Sequence, residues 1–453
     1  MRRFTIPLTL LFCSAAFPQT PPSPPQLSPQ SAYEQATLPL EITRRAIENW
    51  SDSETAALAV AIKQAKEQCS ARTPSQYTGE DLIAYARLCA LGQQWPTVQE
   101  AATLYVDVQH RTGQEAKPVS AFPGLAQAYA YLIDSSLHLN DSTIARVAAD
   151  EMIRTVPYTD LTSQATNEVA RYLQLIQTHD ALTFLSHRQT VLLPLIRSFA
   201  TSTPNQTQQP LPLHTIYTDA LVLAALQQFT NDPKAAAATI TELDAALPAN
   251  LSADDSILIA ESRRQYALLG TVVPGITTFA YLLYGSAAPL QHTETNFNEA
   301  TALLLFPDWC AQCIHMGSQF MPAFLRLGQY DVIFSALLAQ AAPPPAPASA
   351  KPKPTTSPKA THFLSATPST PTDLTQTRPK TPVELLVNTP TFVVSNDTLK
   401  SLAVTDFPFL VVTDHEGIIR FLQPAPENVL VPGGLADQVI ARVMEQWPAP
   451  SAK

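Results

Sequence analysis

Beyond its first residues the chain has no apolar run long enough to cross a bilayer, which takes about 20 residues. Basic residues are also few: 28 Lys and Arg stand against 38 Asp and Glu, and Arg2 and Arg3 lie in the leader described below. The clustered cations that grip phosphate backbones are therefore missing, which argues against nucleic acid as a partner. The acidity reads as a solubility feature. Glycine is scarce at 12 and proline abundant at 41, so clustered prolines are the marks that locate linkers. Cysteine is scarce at 5 residues. A chain of 453 residues suggests two or three domains and can fold without bridges.

The opening stretch MRRFTIPLTLLFCSAAFPQ has two arginines, an apolar run to Phe12, then Ser14, Ala15 and Ala16. That is the order of a secretory leader, 1–16, with cleavage after Ala16. A lipid anchor would need a small residue before Cys13, where Phe12 stands. The expectation is export to a periplasmic or extracellular space, with no membrane span beyond the leader. Four cysteines remain there, Cys69, Cys89, Cys310 and Cys313, an even number in a setting that permits bridges.

Residues 17–38 read as a proline-rich tether. From 39 to 270 the pattern is helical: ETAALAVAIKQAKEQC, EDLIAYARLCALG and TVQEAATLYVDVQH carry apolar residues three and four apart. Short breaks between them predict antiparallel neighbours. Two stretches, LIAYARLCALGQQWPTVQEAATLYVDV and LAQAYAYLIDSSLHLNDSTIARVAADEMIRTVPY, each read as helix, polar turn, helix, with Gly92 and Asn140 at similar turn positions. They resemble tetratricopeptide-type (TPR-like) helical pairs, which stack into solenoids; an irregular helical bundle is the alternative. Further pairs are expected over 162–200 and 213–247, and ADDSILIAESRRQYALLG as a last helix. Either arrangement makes a platform on which a protein partner could be held. Cys69 and Cys89 sit on helices 20 residues apart. In a straight hairpin they are offset by about 10 Å, beyond bridging range, so two buried free cysteines are expected, with a disulfide as the alternative.

After 270 the pattern changes. ITTFAYLLYG, ATALLLF, YDVIFSALLAQ, PTFVV, FPFLVV and GIIRFL read as strands, and GGLADQVIARVMEQW as a terminal helix before a tail at 448–453. Residues 341–382 contain 11 prolines and no apolar periodicity. They predict a disordered or polyproline insertion within this second domain, 271–447.

The stretch FPDWCAQC, 306–313, carries the chemistry. Its cysteines could form a redox pair, a metal clip or a structural bridge. Zinc would need two more ligands, and beyond His315 the spacing is poor. Haem attachment would need His after Cys313, where Ile314 stands. A thiolate is the nucleophile in disulfide exchange. Cys310 is expected at the first turn of a helix, about 314–327, where unpaired N–H groups and the dipole stabilise that charge. Cys313, one turn deeper, can resolve the mixed disulfide.

The strand, Trp309-Cys310-Ala311-Gln312-Cys313, helix and later Pro408, over roughly 280–447, resemble the thioredoxin superfamily and within it the exported TlpA/ResA-like thiol-disulfide oxidoreductases. GSAAP (285–289) resembles that branch's lead-in segment, and VVTDHEG (411–417) its strand–turn–strand. The resemblance implies Cys310 and Cys313 as catalytic residues working as a redox-active disulfide with no cofactor and no metal. It implies a cis Pro408 packed on the pair and Phe407 offering its backbone to a peptide. Protein thiols and disulfides, and an upstream redox partner, are the implied partners. The buried carboxylate of thioredoxins proper is replaced by Leu304, so protons would move through water, Asp308 or His315. Ala311-Gln312 occupies the pair that tunes reduction potential. The fold expected is therefore α + α/β: an all-α, TPR-like region followed by a thioredoxin-like α/β/α domain with a proline-rich insertion. The rival reading is an interaction scaffold whose thioredoxin-like domain is redox-weak.

Overall fold

In the computed structural model the described residues are 27–46, 52–111, 123–201, 211–283, 286–295, 299–310, 313, 316–340, 391–404, 406–426 and 428–448. The leader 1–16, residues 17–26 of the tether, the insertion 341–382, His315 and tail residues 449–453 lie outside them. Alanines four apart set the first contact. Ala32 and Ala36 on α1 (Pro29–Ala46) pack with Ala65 and Leu88, and Leu40 continues the buried stripe one turn on. The tether reading of 17–38 is therefore corrected at its end, since Pro29–Leu38 is helical. Pro29 sits at the first helical position, where its missing N–H costs nothing, and small side chains let neighbouring helices approach closely.

Among the described residues ten more helices follow before the sheet: α2 (Asp52–Ser70), α3 (Glu80–Leu91), α4 (Trp95–Arg111), α5 (Pro123–His138), α6 (Ser142–Thr155), α7 (Asp160–Ile176), α8 (Thr178–Thr201), α9 (Leu213–Phe229), α10 (Pro233–Ala246) and α11 (Ala253–Leu268). Three of their turns share one geometry. Gln93, Asn140 and Asn231 adopt left-handed backbone with φ of 55°, 59° and 60°. The next residue's N–H returns to the helix: Gln94 to Cys89 O at 2.9 Å, Asp141 to Ser136 O at 2.8 Å, Asp232 to Gln227 O at 2.9 Å. Asp141 and Asp232 then cap the following helix. Gln93, rather than Gly92, is thus the counterpart of Asn140. Gly92 has another job: a Cβ there would lie 2.7 Å from the Lys66 backbone nitrogen of α2. The α7–α8 connection is only Gln177 and breaks the series.

Cys69 and Cys89 are joined, with Cα atoms 5.1 Å apart, which corrects the expectation of free thiols. The straight-hairpin geometry fails because a 3₁₀ turn at Pro74–Gln76 lies between α2 and α3. The buried Tyr85 hydroxyl donates between the Cys69 and Arg72 carbonyls at 3.1 and 2.9 Å, drawing the end of α2 across the middle of α3. Cys89, four residues after Tyr85, then faces Cys69. Burial pushes the Tyr85 phenol up to about 12, so it remains a donor at neutral pH. Both cysteines are buried. A Cys69→Ala/Cys89→Ala variant is expected to lose about 3 kcal/mol of unfolding free energy, read from the shift of its urea midpoint.

A buried polar network ties α7, α8 and α9. Arg188 of α8, only 1% exposed, donates to Asn167 Oδ1 at 2.7 Å, Thr166 Oγ1 at 3.2 Å and the Asp219 carbonyl at 2.7 Å. The Asp219 carboxylate accepts from Tyr158 at 2.9 Å, Ser163 at 2.6 Å and Asn167 Nδ2 at 2.7 Å.

Among the described residues the second half forms a seven-stranded mixed sheet in the order β2-β1-β5-β4-β3-β6-β7. Its strands are β1 (Ile276–Leu283), β2 (Ser286–Thr295), β3 (Thr301–Pro307), β4 (Ile333–Gln340), β5 (Thr391–Ser395), β6 (Phe409–Thr413) and β7 (Ile419–Pro424). β3, β4 and β5 are parallel; the other neighbours are antiparallel. The central β3 is buried at every position, as its unbroken apolar run requires. Its alternate residues serve opposite faces. Leu304 and Phe306 join the core containing α12 (Gly317–Leu327) and α14 (Leu435–Gln446). Leu303 and Leu305 join the core reached by α13 (Asn396–Ser401) and the end of α11. The architecture is α + α/β. GSAAP, expected as a lead-in, runs into β2 from Ser286 onward.

Candidate active site

The fully buried β3 delivers its last residues to the sheet's end. The chain then turns: Asp308 N–H donates to Ala339 O of β4 at 3.0 Å, and Cys310 N–H to Pro307 O at 3.1 Å. This tight turn holds Trp309 outward, 69% exposed, and Cys310 inward, 9% exposed. Cys313 is fully buried and bonded to Cys310, with Cα atoms 5.3 Å apart. Cys313 is helical, and Met316 N–H donates to its carbonyl at 3.2 Å. Beyond Met316 the described helix α12 runs Gly317–Leu327; Ile314, at the expected helix start, lies outside the described residues.

The two sulfurs differ in surroundings. Cys313 N–H donates to Cys310 Sγ at 3.3 Å, the kind of backbone contact that stabilises negative charge on sulfur. Cys313 lies in the apolar core with Met316, Phe320 and Phe306. Apolar burial disfavours a thiolate. Phe320 tilts against Phe306 and Phe334, with ring centroids 5.7 and 5.9 Å apart, fixing α12 on the sheet. The far end of α12 is tied down by Arg326, which donates to Asp437 at 3.0 Å and to Leu430 O at 2.8 Å. That anchor was not foreseen from sequence; a basic residue in the last turn of α12 and an acidic one in the first turn of α14 were its signal.

On the neighbouring strand β6, where Phe409 pairs with Leu305 of β3, the preceding Phe407–Pro408 peptide bond is cis. Pro408 is buried and its carbonyl accepts from Ala425 N–H at 2.8 Å, holding the loop to the end of β7. The half-buried Phe407 ring meets the Trp309 ring edge-on, with centroids 5.4 Å apart and planes at 90°. These two rings, 98 residues apart in sequence, close one side of the site. Leu304 is fully buried beneath it, so no carboxylate stands at that position. Asp308 is half-buried beside Trp309. Among the described residues there is no cluster of three or more His, Cys, Asp or Glu able to hold a metal ion, and no helix is long and apolar enough to cross a membrane.

The arrangement offers a sulfur that keeps 9% exposure, a second sulfur fully buried behind it, and an aromatic and cis-proline wall nearby. No protein-family model matches the chain, and no curated protein matches it. Among solved structures it is similar to the thioredoxin domain of a thiol-disulfide oxidoreductase from Bacteroides vulgatus, at 11% identity and a TM-score of 0.23. That match covers 40% of this chain and 97% of the other.

Proposed function

We propose that this is an exported thiol-disulfide oxidoreductase with a thioredoxin-like domain of the TlpA/ResA-like kind, acting on protein disulfides through Cys310 and Cys313. The observation that carries the reading is the bonded cysteine pair between the end of a fully buried strand and a helix, with the adjoining Trp309 ring against Phe407 of the cis Phe407–Pro408 bond. In the reducing direction the Cys310 thiolate attacks a substrate disulfide, forming a mixed disulfide and releasing one substrate thiolate. Cys313 then attacks Cys310 Sγ, breaking the mixed disulfide and releasing the second thiol. The substrate gains two electrons and the pair is oxidised. A dithiol protein upstream restores it; the reverse sequence forms disulfides in substrates. Trp309 and the Phe407 backbone would position the incoming chain, and Asp308 or His315 would handle protons. The buried Cys69–Cys89 bridge supports an oxidising compartment. The helical region would be the TPR-like platform for a partner protein.

Exposure makes a direct test. In the reduced protein near neutral pH, iodoacetamide is expected to label Cys310 before Cys313, because Cys310 keeps 9% exposure while Cys313 has none. Equal or reversed labelling, read by mass spectrometry, removes the assignment of Cys310 as nucleophile. The second reading, a scaffold with a redox-weak domain, is favoured by one observation: the apolar Leu304 beneath the site, which leaves Cys313 without a neighbouring carboxylate there.

A further inference from the structure

A cavity of about 430 Å³ opens where the helices meet the outer edge of the sheet. Its floor is Leu422, Gln423 and Pro424 of β7, its walls come from α7, α9 and α11, and its rim includes Asp406, next to Phe407. β7 is an edge strand. Its pairing with β6 places Pro408 opposite Ala425 as a hydrogen-bonded pair, with Leu410 opposite Gln423. Antiparallel alternation then turns the backbone groups of Leu422 and the carbonyl of Pro424 away from β6, toward the open edge. Further back this edge is already used: Gly270 N–H donates to Ile419 O and Ile419 N–H to Thr271 O, both at 2.8 Å. Coverage by those residues stops before Leu422, where the cavity begins.

The side chains around that edge suit a peptide backbone. Gln265 brings an amide among apolar neighbours; the Gln423 amide donates to Gln174 at 3.4 Å, and the Ser262 hydroxyl is shared with Thr218 and the Leu258 carbonyl, a weak neutral network that an incoming strand could exchange with. The Asp219 carboxylate in the lining is taken by Tyr158, Ser163 and Asn167, and the two other charges there, Arg171 and Asp406, are of opposite sign. A neutral, extended ligand fits this surface better than an ionic one, and main-chain pairing to a free strand edge is a recurring mode of peptide capture.

We propose that the cavity receives an extended stretch of the substrate polypeptide, paired to the outer edge of β7 at Leu422–Pro424, while its disulfide lies against Phe407 and Cys310. The proposal deepens the oxidoreductase reading and rests on it for the nature of the ligand. It gives the helical region a share in substrate recognition, since α7, α9 and α11 form the walls.

The test uses the full chain and two probes. Reduced, carboxymethylated α-lactalbumin, an unfolded polypeptide without thiols, is expected to slow hydrogen exchange at 420–424. Ala225→Trp, which fills the cavity from α9, is expected to abolish that protection. It should also raise KM for insulin reduction about tenfold, while exchange with the small 2-hydroxyethyl disulfide stays unchanged and reports an intact fold and site. Gln265→Trp, entering from α11, should do the same, which separates occupancy of the cavity from a local packing fault. Protection absent in the wild type, or equal in both variants, overturns the docking site. Protection without any disulfide exchange supports the docking site and instead removes the oxidoreductase reading.

Discussion

Cys310→Ser is expected to reduce turnover of a protein disulfide to the uncatalysed background, a loss of several orders of magnitude, while Cys313→Ser traps a covalent adduct. The difference follows from position. Cys310 is the sulfur that a substrate can reach, and a backbone N–H already points at it; Cys313 is sealed beneath. Without Cys310 no mixed disulfide forms, and the buried Cys313 cannot substitute. Without Cys313 the first step proceeds, but nothing resolves the adduct, so the substrate remains bound through Cys310 Sγ and is released only by added dithiothreitol. Insulin reduction with the wild type and both variants, followed by non-reducing electrophoresis, reads both effects. Activity that survives Cys310→Ser, or is absent from the wild type, sinks the oxidoreductase reading and leaves the scaffold.

The second large effect concerns stability. Arg188→Ala is expected to cost about 3–5 kcal/mol of unfolding free energy, because removing one member of a buried charged network strands the others. Arg188 and Asp219 are 1% and 5% exposed. They are joined directly through the Asp219 carbonyl and indirectly through Asn167, which accepts from Arg188 and donates to the carboxylate. Loss of the guanidinium leaves Asn167 Oδ1 and a backbone carbonyl without donors and leaves a buried carboxylate uncompensated. Tyr158→Phe removes a single donor to that carboxylate and should cost only about 1 kcal/mol. Urea unfolding of the full chain followed by circular dichroism gives both numbers. A loss for Arg188→Ala comparable to that of a surface ion pair, below about 1 kcal/mol, would show that the network carries little of the fold's stability.

The parts of this molecule legible in sequence are those written in local periodicity. The unbroken apolar run Ala302–Phe306 announces a central strand, and alternation at three and four residues announces α2 through α11. Trp309, Cys310, Cys313 and Pro408 stand out because each residue type is uncommon or conformationally special. What brings Trp309 against Phe407 is the antiparallel pairing of β3 with β6, a long-range fact that no local pattern contains. The same blindness explains the misses. The Cys69–Cys89 bridge depends on Tyr85 holding the end of α2 across α3, and α1 was obscured because proline content suggested a tether while the alanine stripe lay within it. β2 was missed because Ser286–Thr295 is mostly polar and contains Pro289. No local pattern marks Arg188 or Asp219; only the packing of α7, α8 and α9 encloses them.

The seam between the two halves has one more implication. Phe229 at the end of α9 lies edge-on to Phe421 of β7 and to Trp447, at 6.4 and 6.3 Å, and Arg420 covers the Trp447 ring at 4.3 Å. Arg442 of α14 donates to Leu175 O of α7 at 3.1 Å, and a single apolar cluster runs from Cys69 to Val443. The chain is therefore not two beads on a string: severed at Gly270, each fragment would bare a greasy flank, and the pieces should be rescued by coexpression rather than by longer linkers.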